Sequence, residues 1–194
     1  MHDIDDYLMQ QFLNGDRNAF KHIVDRHKHE IFRFILYKVK DRDLASDLTQ
    51  DVFVKLFKSA NRYLPSGKFR AWLFRIAQNI CIDEQRRNKK ASILSLTDTI
   101  NSESNSDPIL LNQLEDQSAN PSREVELAEL QNIINHSLDV LPEKQRIAFV
   151  LCQYDGLSYQ EIAAIQKCAV GTVKSRIHTA LTKIRDFLKE NEML

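Results

Sequence analysis

Hydrophobic residues recur every three to four positions over most of this chain, the spacing of amphipathic helices and not the two-residue alternation of strands. In the first half four stretches carry the pattern, at about Asp5 to Asn14, Arg17 to Lys38, Arg42 to Ser59 and Lys68 to Arg87. The breaks are chemically marked, by Gly15-Asp16, by Lys40-Asp41-Arg42 and by Leu64-Pro65-Ser66-Gly67, the longest of the three. The pattern returns at Arg123 to Leu141, Pro142 to Tyr154, Ser158 to Ile165 and about Val170 to Asn191. Pro142 suits a first helical turn, where its missing N–H has no partner to lose. Ser158 and Glu161 have the spacing of a capping box, which predicts a helix starting at Ser158. With only four Gly and four Pro in 194 residues, there is little punctuation for hairpins, and the predicted class is all-α.

Between the halves the periodicity fails. From Ser92 to Ser122 the chain is crowded with Ser, Asn, Asp and Gln and contains Pro108 and Pro121, too polar to offset the entropy of ordering it. Only Ile109, Leu110, Leu111 and Leu114 could form a short turn on a partner. The division that follows is an N-terminal helical bundle at 1–90, a flexible linker at 91–122 and a C-terminal four-helix domain at 123–194. A linker of this kind reaches far when extended, so the domains need not touch when they work.

Charge follows the same division. The formal net charge is zero, but residues 1–90 hold 18 Lys and Arg against 12 acids, while residues 91–122 hold five acids and no Lys or Arg. Residues 123–194 are near balance, with nine bases and ten acids. Two segments able to face phosphates therefore flank one that phosphates would repel.

The sharpest local signal lies at Leu157 to Ala180, which reads as two short helices crossing steeply. Ala163 is small where they must approach, and Ile162, Ile165, Cys168, Val173 and Ile177 can fill the interior. Helical spacing puts Val173, Ile177, Ala180 and Ile184 on one face of the second helix. Thr172, Lys174, Ser175, His178 and Thr179 are left on the other, with Arg176 at its edge. From Lys167 to Lys189 six Lys and Arg face one acid. Such a helix fits the DNA major groove, early residues at base edges and cations on phosphates.

The strings Leu141-Pro142-Glu143-Lys144-Gln145-Arg146, Asp155-Gly156-Leu157-Ser158-Tyr159-Gln160-Glu161-Ile162-Ala163 and Gly171-Thr172-Val173-Lys174-Ser175-Arg176 closely resemble the promoter-binding C-terminal domain (domain 4) of extracytoplasmic-function sigma factors. The resemblance implies a helix-turn-helix that reads the minus-35 element as duplex, with Thr172, Lys174, Ser175, Arg176, His178 and Thr179 as the contact set. Ala169 stands where family members often have Ser or Pro, a lost cap of roughly 1 kcal/mol that packing is expected to absorb.

The first half carries the resemblance further. Asp47-Leu48-Thr49-Gln50-Asp51-Val52-Phe53-Val54-Lys55-Leu56-Phe57 is similar to the family's polymerase-binding helix, with Asp51 for the usual Glu. Asp47, Gln50 and Asp51 share one face, opposite Leu48, Val52 and Leu56. By resemblance that face docks on the clamp coiled coil of the largest polymerase subunit, and the C-terminal domain meets the flap of the second-largest. Lys68-Phe69-Arg70-Ala71-Trp72-Leu73-Phe74-Arg75-Ile76-Ala77-Gln78-Asn79, with Asp83-Glu84-Gln85-Arg86-Arg87, resembles the minus-10 melting element of domain 2. Lys68, Arg70, Arg75, Asn79, Arg86 and Arg87 are its candidate contacts. Asn79 matches a position bordering a flipped base, and Leu64 to Lys68 match the loop enclosing it. Between Arg62 and Lys90 eight bases face two acids, which suits one strand's phosphates. Trp72, Phe74 and Ile76 are expected in the core, and Arg70 and Arg75 read equally well as solvated charges. Gln78 departs from the Arg often found there, which weakens any transfer of base preference.

The resemblance implies an acidic tether threading the polymerase cleft, promoter DNA as ligand, an anti-sigma factor as a further partner, and no cofactor. A stand-alone operator-binding regulator is the rival reading, though no clear dimerisation helix is visible. Enzyme readings have less support: no Gly-rich phosphate loop, Ser-His-Asp set or metal-ligand spacing occurs, and His27 and His29 point to divergent faces. Cys81, Cys152 and Cys168 are expected as reduced core residues. No apolar run approaches a membrane span, and acids occupy the first dozen positions, so the expected location is the cytoplasm, without membrane insertion.

Overall fold

The breaks at Gly15-Asp16, at Lys40-Asp41 and at Leu64 to Gly67 fall between helices. The computed structural model describes residues 4–95 and 133–191. Helix α1 spans Ile4–Leu13, α2 Arg17–Val39, α3 Arg42–Ser59 and α4 Phe69–Ser95, with a 3-10 turn at Ala60–Arg62. After the undescribed residues 96–132 come α5 (133–139), α6 Glu143–Gln153, α7 Tyr159–Gln166 and α8 Val170–Glu190. No strand occurs among the described residues, and the architecture is two-domain and all-α. Most of the expected linker, and residues 123–132 of the expected helix from Arg123, lie outside the described residues.

The caps explain the boundaries. Asp16 accepts from the Asn18 amide at 2.8 Å to start α2, and Asp41 accepts from the Leu44 amide at 2.9 Å to start α3. Lys40 closes α2 in the left-handed conformation at φ 57°. At α7 the predicted capping box is complete: the Ser158 hydroxyl accepts from the Glu161 amide, and the Glu161 carboxylate accepts from the Ser158 amide at 2.8 Å. Helix α4 departs from expectation, running on from Arg87 through Ser95. Residues 88–95 contain neither Gly nor Pro to stop it, and their Lys, Ala, Ile and Leu tolerate a helix.

The N-terminal core gathers Met9, Ile23, Phe34, Leu56, Phe69, Leu73 and Phe74, all fully buried. Side chains of this size each contribute about 1.5–3 kcal/mol on burial. Phe34 and Phe74 meet edge to face, with centroids 5.3 Å apart, locking α4 onto α2. Phe74 and Ile76 are buried as expected, and Trp72 is half-buried against Tyr63. All three cysteines are free; Cys81 is buried, while Cys152 and Cys168 are half-buried. Burial pushes the Cys81 thiol up to about 12, so it packs as a small neutral side chain.

A line of charged groups crosses this apolar core. His27, nearly inaccessible, has Nε2 3.0 Å from Asp5 Oδ1 and Nδ1 2.5 Å from Glu30 Oε1. Glu30 Oε2 accepts from Arg70 at 2.6 Å, and Arg26 reaches Asp5 at 3.1 Å. The line ties α1 to α2 and α2 to α4. Burial disfavours a charged imidazole, but the hydrogen bonds and charges of Asp5 and Glu30 outweigh it and raise the His27 pKa. Burial would likewise raise Asp5 and Glu30, yet their cationic partners hold both below the usual carboxylate range.

The signs fix a pH window. A raised His27 contributes stability that is fully present below its unfolded value of about 6.5 and is lost as pH rises through the folded value. Lowered Asp5 and Glu30 contribute stability present above their ordinary values and lost as pH falls through the folded ones. His27→Gln is therefore expected to destabilise the protein by about 3 kcal/mol near pH 6, the scale of a broken buried ion pair. Thermal melts should show that deficit shrinking between pH 6 and pH 9; a deficit independent of pH would assign His27 to packing alone.

Candidate nucleic-acid interface

Helices α7 and α8 meet through a three-residue turn. Lys167 takes the left-handed conformation at φ 51°, and the Cys168 amide returns to the Ala163 carbonyl at 3.0 Å. Ala169 sits extended at the start of α8 without a side-chain cap, as the sequence predicts. Val173, Ile177 and Ala180 are buried on one face of α8, with Ile162, Ala163 and Ile165 of α7 buried in the same core. Thr172, Lys174, Ser175 and His178 are exposed on the other, and Thr179 is half-buried at its border. Arg176 does not stand free: its guanidinium donates to the Gln166 side chain and lies 3.5 Å from Cys168 Sγ.

Helix α4, with Lys68 just before it, carries a second stripe of mixed polar and apolar residues. Positions 68, 72, 75, 79, 82 and 86 follow one another at steps of three and four, so Lys68, Trp72, Arg75, Asn79, Ile82 and Arg86 line one side. Lys68 and Arg75 are exposed and Asn79 is half-buried. Arg86 and Arg87 are exposed, each beside an acid one turn back, Asp83 at 3.7 Å and Glu84 at 3.1 Å. Such exposed pairs are worth under about 1 kcal/mol and release their cations readily. Arg70 is different. It is the outer end of the buried line through Glu30, which raises its pKa further against burial, and it braces α4 on α2. Between the phosphate contact and the solvated charge that the sequence leaves open, the structure shows Arg70 ion-paired with Glu30 and about a third exposed.

On α3, Asp47, Gln50 and Asp51 are exposed while Leu48, Val52 and Leu56 are buried. Val54, half-exposed at 49%, is one turn beyond Asp51 on the same face. Phe57 is also half-exposed, though its ring packs against Phe12 and Phe20 at 5.2 and 5.3 Å. Neither is among the contacts expected from the sequence. An apolar residue that breaks the polar side of an amphipathic pattern was the available signal.

The two domains touch, which the sequence did not reveal. Helix α2 meets α6, and α4 meets α7. Lys38 reaches Glu143 at 2.6 Å, and Lys40 reaches Asp139 at 2.9 Å. Arg33 pairs with the buried Asp155 at 2.5 Å and lies 5.7 Å from the centre of the Tyr154 ring. Lys167 donates to Asn79 Oδ1 at 3.4 Å, so the turn of the helix-turn-helix covers the middle of the α4 stripe. A cavity of about 350 Å³ remains beside this contact, with Gln78, Ile82 and Arg176 in its wall. Burial, opposed by Arg33, pushes Asp155 up to about 6, and its Oδ2 is buried without a hydrogen-bond partner.

Comparison with known proteins places both units in one family. Residues 23–91 match the family profile for sigma-70 region 2, and residues 131–184 that for sigma-70 region 4. The chain is 32% identical over 180 residues to the ECF RNA polymerase sigma-E factor of Escherichia coli K12, covering 91% of this chain and 90% of that protein. It resembles the sigma factor RpoE of Bartonella quintana, solved in complex with the anti-sigma factor NepR, at 25% identity and a TM-score of 0.67, over 88% of this chain and 96% of that one. It resembles CnrH, solved with the cytosolic domain of CnrY, at 25% identity and a TM-score of 0.63, over 97% and 99% of the two chains.

The interdomain contacts predict how closure responds to charge. A raised Asp155 favours the closed packing while it is protonated, so that contribution is lost as pH rises from the ordinary carboxylate range through about 6. Small-angle scattering should find the wild type most compact near pH 5 and Asp155→Asn without this pH response. Arg33→Glu sets two acids face to face and should expand the particle by several ångströms, about the scale of one helical turn; an unchanged radius would remove Arg33 from the contact.

Proposed function

The chain belongs to the extracytoplasmic-function RNA polymerase sigma factors of the sigma-70 family, and we propose that it binds core polymerase and reads a two-part promoter. On this reading α8 enters the major groove of the minus-35 element. The α4 stripe, with the loop before it, holds the minus-10 element as an unpaired strand. What carries the proposal is one observation: a region 2 unit with an exposed Asp47, Gln50 and Asp51 face precedes, in one chain, a region 4 helix-turn-helix with Thr172, Lys174 and Ser175 exposed.

The contact set follows from which side chains are free to move. Lys174 is exposed, and Arg176 can reach DNA after leaving Gln166. Lys68, Arg75, Arg86 and Arg87 are the phosphate candidates on the melting side, and Asn79 becomes available once Lys167 withdraws. Arg70 is left out of that set because turning it toward DNA would cost Glu30 one of its two cationic partners. Val54 joins Asp47, Gln50 and Asp51 on the polymerase face, where an apolar residue ringed by polar ones is the usual anatomy of a contact.

In the closed packing the middle of the α4 stripe is covered, so promoter engagement requires the domains to part. Polymerase supplies the separation by holding each domain at its own site, and the acidic tether spans the gap. The link with an anti-sigma protein rests on the Bartonella relative, which was solved with one. For this chain we propose such a partner, a cytoplasmic location, and a role as specificity subunit without catalysis of its own.

Run-off transcription with purified core polymerase and a promoter library tests the proposal directly. Addition of this protein should produce transcripts with defined starts; a lack of initiation, with tight promoter binding in the absence of core, would favour a free operator-binding regulator. Asp51→Arg should weaken core binding by at least about tenfold, the loss of one charge-assisted contact, and leave minus-35 binding intact. Lys174→Ala should weaken upstream-element binding and lower its log–log salt slope by about one. An unaltered slope would take Lys174 off the phosphates.

A further inference from the structure

Helix α1 opens with two adjacent acids that go separate ways. Asp5 joins the line through His27, while Asp6, only 4% exposed, faces the loop between α3 and α4. The Asp6 carboxylate accepts from the Tyr63 hydroxyl through Oδ1 and from the Gly67 amide at 2.7 Å through Oδ2. Tyr63 and Gly67 bracket Leu64, Pro65 and Ser66. One buried carboxylate therefore holds both ends of a three-residue crest.

Each end is fixed by more than this bond. The Tyr63 ring packs 4.9 Å from Trp72 and edge to face with Phe69 at 5.6 Å. Gly67 has φ 66°, where a side chain is strained, and this conformation presents its N–H to Asp6. The crest stands out from the bundle: Leu64 is 79% exposed, and Pro65, Ser66 and Lys68 are exposed beside it. Pro65 fixes its own φ. A rigid, projecting apolar tip next to a cationic stripe is a poor choice for mere connection. It suits a flat, unpaired base, which needs an apolar contact and a cation for the attached phosphate.

We infer that Asp6 is a positioning residue for minus-10 strand opening: by clamping Tyr63 and Gly67 it presets the 64–66 crest to receive an unpaired base. This rests on the promoter reading above. The carboxylate never touches DNA. It acts by removing, before binding, the conformational freedom that the crest would otherwise lose on capturing a base. No local sequence pattern marks it, since its partners are 57 and 61 residues away.

The test uses holoenzyme reconstituted from core polymerase and fork-junction DNA of a promoter selected by transcription. Each minus-10 position carries either its normal base or an abasic site. Wild type should show at least one position where the abasic site weakens binding, by about tenfold, the scale of one or two polar contacts. Tyr63→Phe, which keeps the ring and loses the hydroxyl, should reduce that penalty to under about threefold without changing core affinity or minus-35 binding. Asp6→Asn turns an N–H2 toward one of two donors and should act the same way. A full penalty retained in both variants would overturn the clamp while leaving the promoter reading in place. No penalty at any position in the wild type would overturn the assignment of the crest to base capture, and the clamp with it. Equal weakening at every position, with lower thermal stability, would assign Asp6 to packing and also overturn the proposal.

Discussion

The N-terminal bundle depends on a line of buried charge that neither end can abandon. Asp5, His27, Glu30 and Arg70 join α1, α2 and α4 through contacts of 2.5 to 3.0 Å, and the three inner groups are buried deep enough that each ion would be costly alone. Breaking such a pair strands its partner, so the line behaves as one unit. Its geometry sets where α4 lies on α2, and with it the direction in which Arg75 and Asn79 face. Phe34 and Phe74 fill the space beneath but, being apolar, fix the rotation of α4 less strictly. The surface proposed for DNA is thus positioned by charges that DNA never meets.

The contact between the domains is of another kind. Lys40–Asp139 is partly exposed on both sides and is worth under about 1 kcal/mol, while the attraction of Glu143 for the buried Lys38 is offset by the cost of burying the ammonium. Arg33–Asp155 is more buried, and desolvation of Asp155 outweighs the attraction of Arg33, as its raised pKa records. A joint whose charged pairs contribute little net attraction, leaving the packing of α2 on α6 and of α4 on α7 to hold it, can open without unfolding either domain. That suits the proposed reading, in which the two halves reach separate stretches of one promoter. It also explains how the Lys167–Asn79 contact can hide candidate DNA residues and still release them.

Helix α8 shows how a missing local term is absorbed. Without a cap at Ala169 the helix forgoes roughly 1 kcal/mol, yet Val173, Ile177 and Ala180 bury fully against the preceding helices. Burial of the apolar side outweighs the lost cap and leaves the polar side free of structural duty. Arg176 is the exception, returned to Gln166 by a bond that only the folded turn creates.

Much of the fold was legible in the chain because it is written in neighbours. Asp16, Asp41, the Ser158 and Glu161 box, and the period of Val173 and Ile177 act within one or two turns, and each stands where the sequence put it. The candidate faces on α3 and α8 were legible for the same reason, since a helix converts spacing directly into sides. The pairings of Arg70 with Glu30, Asp6 with Gly67, Asn79 with Lys167 and Arg33 with Asp155 span 40, 61, 88 and 122 residues. Periodicity tells which side of a helix is polar but not which distant group it will meet. Local chemistry thus determined the helices and their faces, and only tertiary packing decided which charged residues are spent inside the protein and which remain for its partners.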